Sequence, residues 1–203
     1  MYDDEFELTF DLSDEDKASR APAPEQEPVQ EAAPEPAAET EPPVEAVPEP
    51  AVPAANGRCV LISGGDRGIG AAAARAFWQA GYRVAVLYHT HAEEAAALEK
   101  ALPGLLAVQC DVASRASCEV AFHTVEQAVG HVDVLVSNAG IAQQKLFTDI
   151  TPEEWQHMLD VNLSGAFHLC QLALPGMIRR KAGRILTVSS MWGQTGGSCE
   201  VHY

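Results

Sequence analysis

The run Cys59-Val60-Leu61-Ile62-Ser63-Gly64-Gly65-Asp66-Arg67-Gly68-Ile69-Gly70 decides how the rest of the chain is read. Four apolar residues lead into four glycines within seven positions. A short apolar run that breaks into glycine reads as a buried strand entering a tight turn. Ala71–Ala74 follow, small residues that open a helix able to lie close to a sheet. Glycines let the backbone approach a ligand, and a helix N-terminus offers free N–H groups and a positive dipole end. Strand, glycine loop and helix together therefore predict a pyrophosphate site.

Working outward, four more apolar runs appear: Val84–Leu87, Leu105–Val108, Val132–Val136 and Ile185–Val188, with Asp133 interrupting one. Nearly unbroken apolar runs are the mark of strands covered on both faces, as in parallel sheets. Helical patterns separate them. Residues 118, 121, 122, 125, 128 and 129 form one stripe over Ala116–Val129, and Gly130 stands where a helix-ending glycine belongs. Thr151-Pro152-Glu153-Glu154 predicts a helix start, with Thr151 as N-cap, Pro152 at N1 and Glu154 closing a capping box. Alternating strand and helix predicts an α/β fold, a Rossmann-type doubly wound parallel sheet that is truncated at its C-terminus.

Charge divides the chain. Of its 203 residues, 1–56 hold 16 acids, two bases and ten of the 13 prolines, whereas 57–203 hold 13 acids and 11 bases. The first segment reads as a disordered acidic tail rich in Pro, Ala and Glu, which cannot offset the entropy of ordering. Within it Phe6, Leu8, Phe10 and Leu12 alternate with polar residues, and an incidental extension is the preferred reading of that pattern. The second segment is long enough for a core. Its near-neutral balance excludes nucleic acid as a partner, and no apolar run spans a bilayer. Five cysteines without CxxC spacing fit free thiols in a reducing cytoplasm, and the His89/His91 pair lacks a third metal ligand.

From Ser63-Gly64 to Gly70 the spacing is GxxxGxG, and the loop resembles the TGxxxGIG motif of the short-chain dehydrogenase/reductases. Further matches follow in order: Asp111-Val112, Asn138-Ala139-Gly140, Asn162, then Ser189-Ser190 with Tyr203 13 residues after Ser190. The resemblance covers residues 58–203. It implies that Gly64, Asp66, Arg67, Gly68, Ile69, Gly70, Tyr88, His89, Asp111, Val112, Asn138, Ala139 and Gly140 hold a nicotinamide dinucleotide. It further implies catalytic roles for Asn162, Ser190 and Tyr203: Tyr203 gives a proton to a carbonyl oxygen, Ser190 holds that oxygen, and Asn162 holds a water. The place of the acid that bonds the ribose 2′-hydroxyl in NAD-preferring relatives is Tyr88. With Arg67 available for a 2′-phosphate, NADP(H) is expected and NAD(H) is the alternative, with Asp66 as the contrary note.

A phenol titrates near pH 10, and shifting it by about three units takes roughly 4 kcal/mol. The family supplies this with a Lys four residues after the Tyr, beyond Tyr203. The expectation is therefore a fragment, inactive alone, whose full-length form is a homodimer or homotetramer. As a whole the domain resembles the 3-oxoacyl-[acyl-carrier-protein] reductases. Met191-Trp192-Gly193-Gln194 and Ser198-Cys199-Glu200-Val201 resemble the elongation factor P 5-aminopentanone reductases of the same family. This implies a ketone carried on elongation factor P, or alternatively on acyl carrier protein, with Trp192 and Glu200 toward the substrate. Glu200 suits an ammonium group. The reading of another class is a non-catalytic nucleotide-binding or interaction protein.

Overall fold

The computed structural model describes residues 53–203. The readings placed on the acidic tail lie outside those residues, except that Asn56 is tied to the domain. Its N–H donates to Gly81 O (2.9 Å) and its Nδ2 to Ala80 O (2.9 Å).

Five strands form one parallel sheet. They are β1 (Cys59–Ser63), β2 (Arg83–Tyr88), β3 (Leu106–Gln109), β4 (Val134–Ser137) and β5 (Arg184–Thr187), in the order β3-β2-β1-β4-β5. The helices are α1 (Gly68–Gln79), α2 (Ala92–Ala101), α3 (Arg115–Val129), α4 (Pro152–Leu159), α5 (Gly165–Arg180) and a short α6 (Trp192–Thr195). Alternation along each strand feeds two cores. Cys59, Leu61, Ala85 and Leu87 join α3 and α5 on one face. Val60, Ile62, Val84 and Val86 join α1 and α2 on the other. This is the doubly wound arrangement.

Coverage on both faces holds for β1 and β4 and for all but the ends of β2. The two edge strands differ: β3 is half-buried, and β5 leaves Leu186 47% exposed. Asp133 does not break β4 but precedes it, and its Oδ2 accepts the Cys59 N–H (2.9 Å), doing the work of a ladder carbonyl.

Helix α3 buries Cys118, Ala121, Phe122, Val125 and Val129, while Ala128 lies exposed off the expected stripe. Gly130 follows at φ 85°, a conformation that favours glycine. Helix α4 begins on the capping box read from sequence. Glu154 N–H donates to Thr151 Oγ1 (3.2 Å), and Thr151 N–H donates to Glu154 Oε2 (2.9 Å).

Between α4 and α5 the chain makes a π-turn over Asp160–Ser164, with Gly165 N–H bonded to Asp160 O. An uninterrupted 3.6-residue repeat would put Asn162 on one apolar face with Trp155, Leu159, Ala166 and Cys170. The buried line is instead Met158, Val161, Gly165, Leu169, Ala173 and Met177, with Trp155 41% exposed. The π-turn inserts one residue into the helical repeat and shifts the phase of everything beyond it.

Candidate functional site

The strand order reverses between β1 and β4, and at the C-terminal ends of β1–β4 lies a cavity of about 440 Å³. Its walls are the expected segments. Gly64, Asp66, Arg67, Gly68 and Ile69 come from the glycine loop, and Tyr88 and His89 from the end of β2. Asp111 and Val112 follow β3, and Asn138, Ala139 and Gly140 follow β4. A crevice of this kind at a topological switch point is where open α/β sheets bind ligands.

Geometry requires glycine at 64, 65 and 70, a Cβ on Gly65 standing 2.6 Å from Val86 Cβ. Gly64 has φ 60°, and a Cβ there would stand 3.0 Å from Ala139 Cα. Gly70 does not line the cavity. A Cβ on it would collide with Gly64 O and come within 2.7 Å of Asn138 Nδ2, so it lets the first turn of α1 close onto the loop. The first turn of α1 leaves its leading N–H groups without intrahelical partners, and its Gly68 and Ile69 line the cavity.

Asn138 ties the sheet together beneath the cavity. Its Nδ2 donates to Ser63 O (3.0 Å) and Gly64 O (2.9 Å). Ser63 Oγ in return accepts from Asn138 N (3.0 Å) and Ala139 N (3.0 Å). Asp111 Oδ1 accepts from Ala113 N (3.0 Å), which turns the chain into α3.

Asp66 has a side chain only 6% exposed, and its Oδ2 lies 3.6 Å from His91 Nδ1. His91, Cys110, Ile141 and His157 also line the cavity. They stand beside or one turn from the motifs, and sequence spacing had not singled them out as cavity walls. Cys110 Sγ is 4.0 Å from Cys118 Sγ and accepts from Ser117 Oγ (3.7 Å), contacts that lower its pKa. Burial raises the Cys59 thiol to about 12, so it stays protonated.

The residues expected to carry chemistry are not part of that lining. Asn162 spends its amide on a backbone: Ile141 N–H donates to its Oδ1 (2.8 Å), and its Nδ2 donates to Ile141 O (2.9 Å). The Asn162 side chain thereby fixes the strand-end loop at Ile141. Ser190 is half-buried and its Oγ accepts from Trp192 N (3.2 Å). Tyr203 is 45% exposed, and among the described residues no hydrogen bond joins its hydroxyl to Ser190.

The segment that bears Tyr203 is registered on the loop after β4 by three contacts. Lys145 N–H donates to Cys199 O (2.7 Å), Gln144 Nε2 to Glu200 Oε1 (3.2 Å), and His202 Nε2 meets Gln143 Oε1 (2.9 Å). That loop is anchored in turn by Glu154, which accepts from Gln143 Nε2 (2.9 Å) and pairs with Lys145 Nζ (2.7 Å). Those bonds hold the Glu154 carboxyl well below its ordinary range, at about 2, the Lys145 bond contributing most. Trp192 is 41% exposed at the start of α6. At the far end of α5, Arg180 Nη2 donates to Val132 O (2.8 Å), tying that helix end to the chain that enters β4.

Among the described residues no three His, Cys, Asp or Glu side chains are grouped as metal ligands, and no helix is long and apolar enough to cross a membrane.

Comparison with known proteins agrees with this geometry. Residues 58–203 match the family model described as short chain dehydrogenase. The chain is 40% identical over 146 residues to an acetoacetyl-CoA reductase from Rhizobium meliloti (strain 1021), covering 72% of this chain and 60% of that protein. It is 40% identical over 144 residues to the 3-oxoacyl-[acyl-carrier-protein] reductase MabA of Mycobacterium avium, covering 70% of this chain and 53% of that one. The chain thus spans a little over half the length of these relatives. With a parallel sheet of Rossmann type, a glycine loop at its switch point and a family match over 58–203, the chain belongs to the short-chain dehydrogenases.

Proposed function

We propose that this chain is the dinucleotide-binding part of an NADP(H)-dependent reductase that converts a ketone to an alcohol by hydride transfer. The observation that carries the reading is the cavity at the β1/β4 switch point. It is walled by the glycine loop, the β2 and β3 ends and Asn138-Ala139-Gly140. A bound dinucleotide supplies the hydride. Gly64–Gly70 and the α1 N-terminus would take its pyrophosphate, and Asp111 and Val112 its adenine end. Asn138 keeps the floor rigid. In this reading Tyr203 donates the proton to the carbonyl oxygen and Ser190 hydrogen-bonds that oxygen. Ser190 follows β5 and Tyr203 stands on the segment registered against the loop after β4, both outside the lining of the dinucleotide cavity.

Two substrate classes follow from different observations. Glu200 stands half-buried beside Gln144, with carboxylate lone pairs beyond that one bond, which favours an aminoketone such as the 5-aminopentanone carried on elongation factor P. The relatives named for acetoacetyl-CoA and 3-oxoacyl-acyl-carrier-protein favour a 3-oxoacyl thioester. The exposed line Leu163, Phe167, Leu174 and Ile178 along the π-turn and α5 suits the homodimer expected of the full-length protein.

The test is the decay of NADPH absorbance with the full-length protein. Oxidation with aminopentanone-modified elongation factor P alone selects the first substrate. Oxidation with acetoacetyl-CoA selects the second. Nucleotide binding without turnover of either leaves a non-catalytic binding protein as the reading.

A further inference from the structure

We propose that His91, by pairing with Asp66, decides whether the cavity accepts a 2′-phosphate or a 2′-hydroxyl on the dinucleotide; this rests on the dinucleotide reading above. In a doubly wound sheet the adenosine half lies over the strands on the far side of the switch point, here β2 and β3, and an acid at the end of the second strand bonds the ribose 2′-hydroxyl. That place holds Tyr88, followed by His89 and Thr90, none of them a carboxylate.

The carboxylate in this wall comes from the glycine loop instead. Asp66 is almost wholly buried, and Asp66, Arg67, Tyr88, His89, Thr90 and His91 all line the same cavity. A bare carboxylate there would accept a ribose hydroxyl and repel a phosphate dianion. Asp66 is not bare, because His91 Nδ1 lies 3.6 Å from its Oδ2 and 3.3 Å from Thr90 Oγ1. An N–H of His91 turned to the carboxylate offsets its field where the 2′-substituent would sit. Arg67, exposed at the rim, is then free to meet the phosphate. His91 is 34% exposed, so a ligand can reach it. It precedes α2 without a side-chain capping bond, so trimming it removes no cap.

The test is calorimetric titration of NADPH and of NADH into the full-length protein and its variants, which reads binding rather than turnover. His91→Ala is expected to weaken NADPH by about five- to tenfold while NADH changes less than about twofold, and His91→Asn, which keeps a polar side chain, gives a second substitution should the first fail to fold. Asp66→Ser is expected to tighten NADPH and weaken NADH, and His91→Ala added to it is expected to shift NADPH less than about twofold, since its partner is gone. Equal shifts of both nucleotides on His91→Ala, or a His91→Ala effect undiminished in the Asp66→Ser background, overturn the inference alone. A folded wild-type protein that binds neither nucleotide overturns the dinucleotide reading, and this inference with it.

Discussion

Ser63 and Asn138 hold each other across the switch point. Ser63 Oγ accepts the Asn138 N–H at 3.0 Å, and Asn138 Nδ2 donates to Ser63 O at 3.0 Å. The reciprocal pair fixes the ends of β1 and β4, the two strands between which the cavity opens. Ser63 is fully buried and Asn138 is half-buried, so few waters can replace a lost partner.

Asn138→Ala strands two carbonyls, and Ser63→Ala strands two N–H groups. Each is expected to cost about 1–3 kcal/mol, read from urea unfolding midpoints, with weaker dinucleotide binding. Ser63→Thr, which keeps the hydroxyl, should recover part of the loss.

Gly70→Ala drives a methyl into Gly64 O and the Asn138 amide. Overpacking of this kind is expected to cost about 1–3 kcal/mol and to abolish NADPH binding, because relief of the clash must open the glycine loop. Gly104→Ala is the comparison: a Cβ there meets nothing within 4 Å, so only its φ of 87° opposes the change. Calorimetric titration should show NADPH binding retained in the second variant and lost in the first.

The acid limb of stability should depend on Glu154. Its carboxyl is held at about 2, below the ordinary 4.5, first by the Lys145 bond and then by the Thr151 N–H and Gln143. A group whose folded pKa is depressed adds stability that is present above its unfolded pKa and lost as pH falls through the folded one. The window therefore runs from about pH 4.5 down to about pH 2. Glu154→Gln should flatten the fall of the unfolding midpoint across that window and lower the midpoint above it. An unchanged slope contradicts the assignment.

Much of the fold was legible because a parallel sheet needs strands apolar on both faces, and five such runs mark themselves. The capping box at Thr151–Glu154 was legible because its chemistry is local. The phase of Asn162 was not, since the π-turn at Asp160–Ser164 adds a residue that no 3.6-residue repeat announces. Nor was the approach of His91 to Asp66, which are 25 positions apart and meet only because β1 and β2 are neighbours. The cavity walls follow motifs with fixed places at strand ends. Tyr203 and Ser190 stand on a segment whose register depends on side chains such as Gln143 and His202, which carry no pattern.

On the proposed reading the Tyr203 phenol gives a proton and touches no phosphate, so Tyr203→Phe in the full-length protein is expected to lower kcat by about 10²–10⁴-fold while leaving NADPH affinity unchanged. Ser190→Ala should lower kcat/KM in the same assay. A large change in NADPH affinity in either variant would mean that these hydroxyls face the nucleotide instead.

The most direct measurement is amide hydrogen exchange of the protein with and without NADPH. The account predicts slowed exchange at four separated stretches, 64–70, 87–91, 110–113 and 138–141, which meet at the cavity. Slowed exchange confined to other segments, such as 152–160, or none at saturating NADPH, would contradict it.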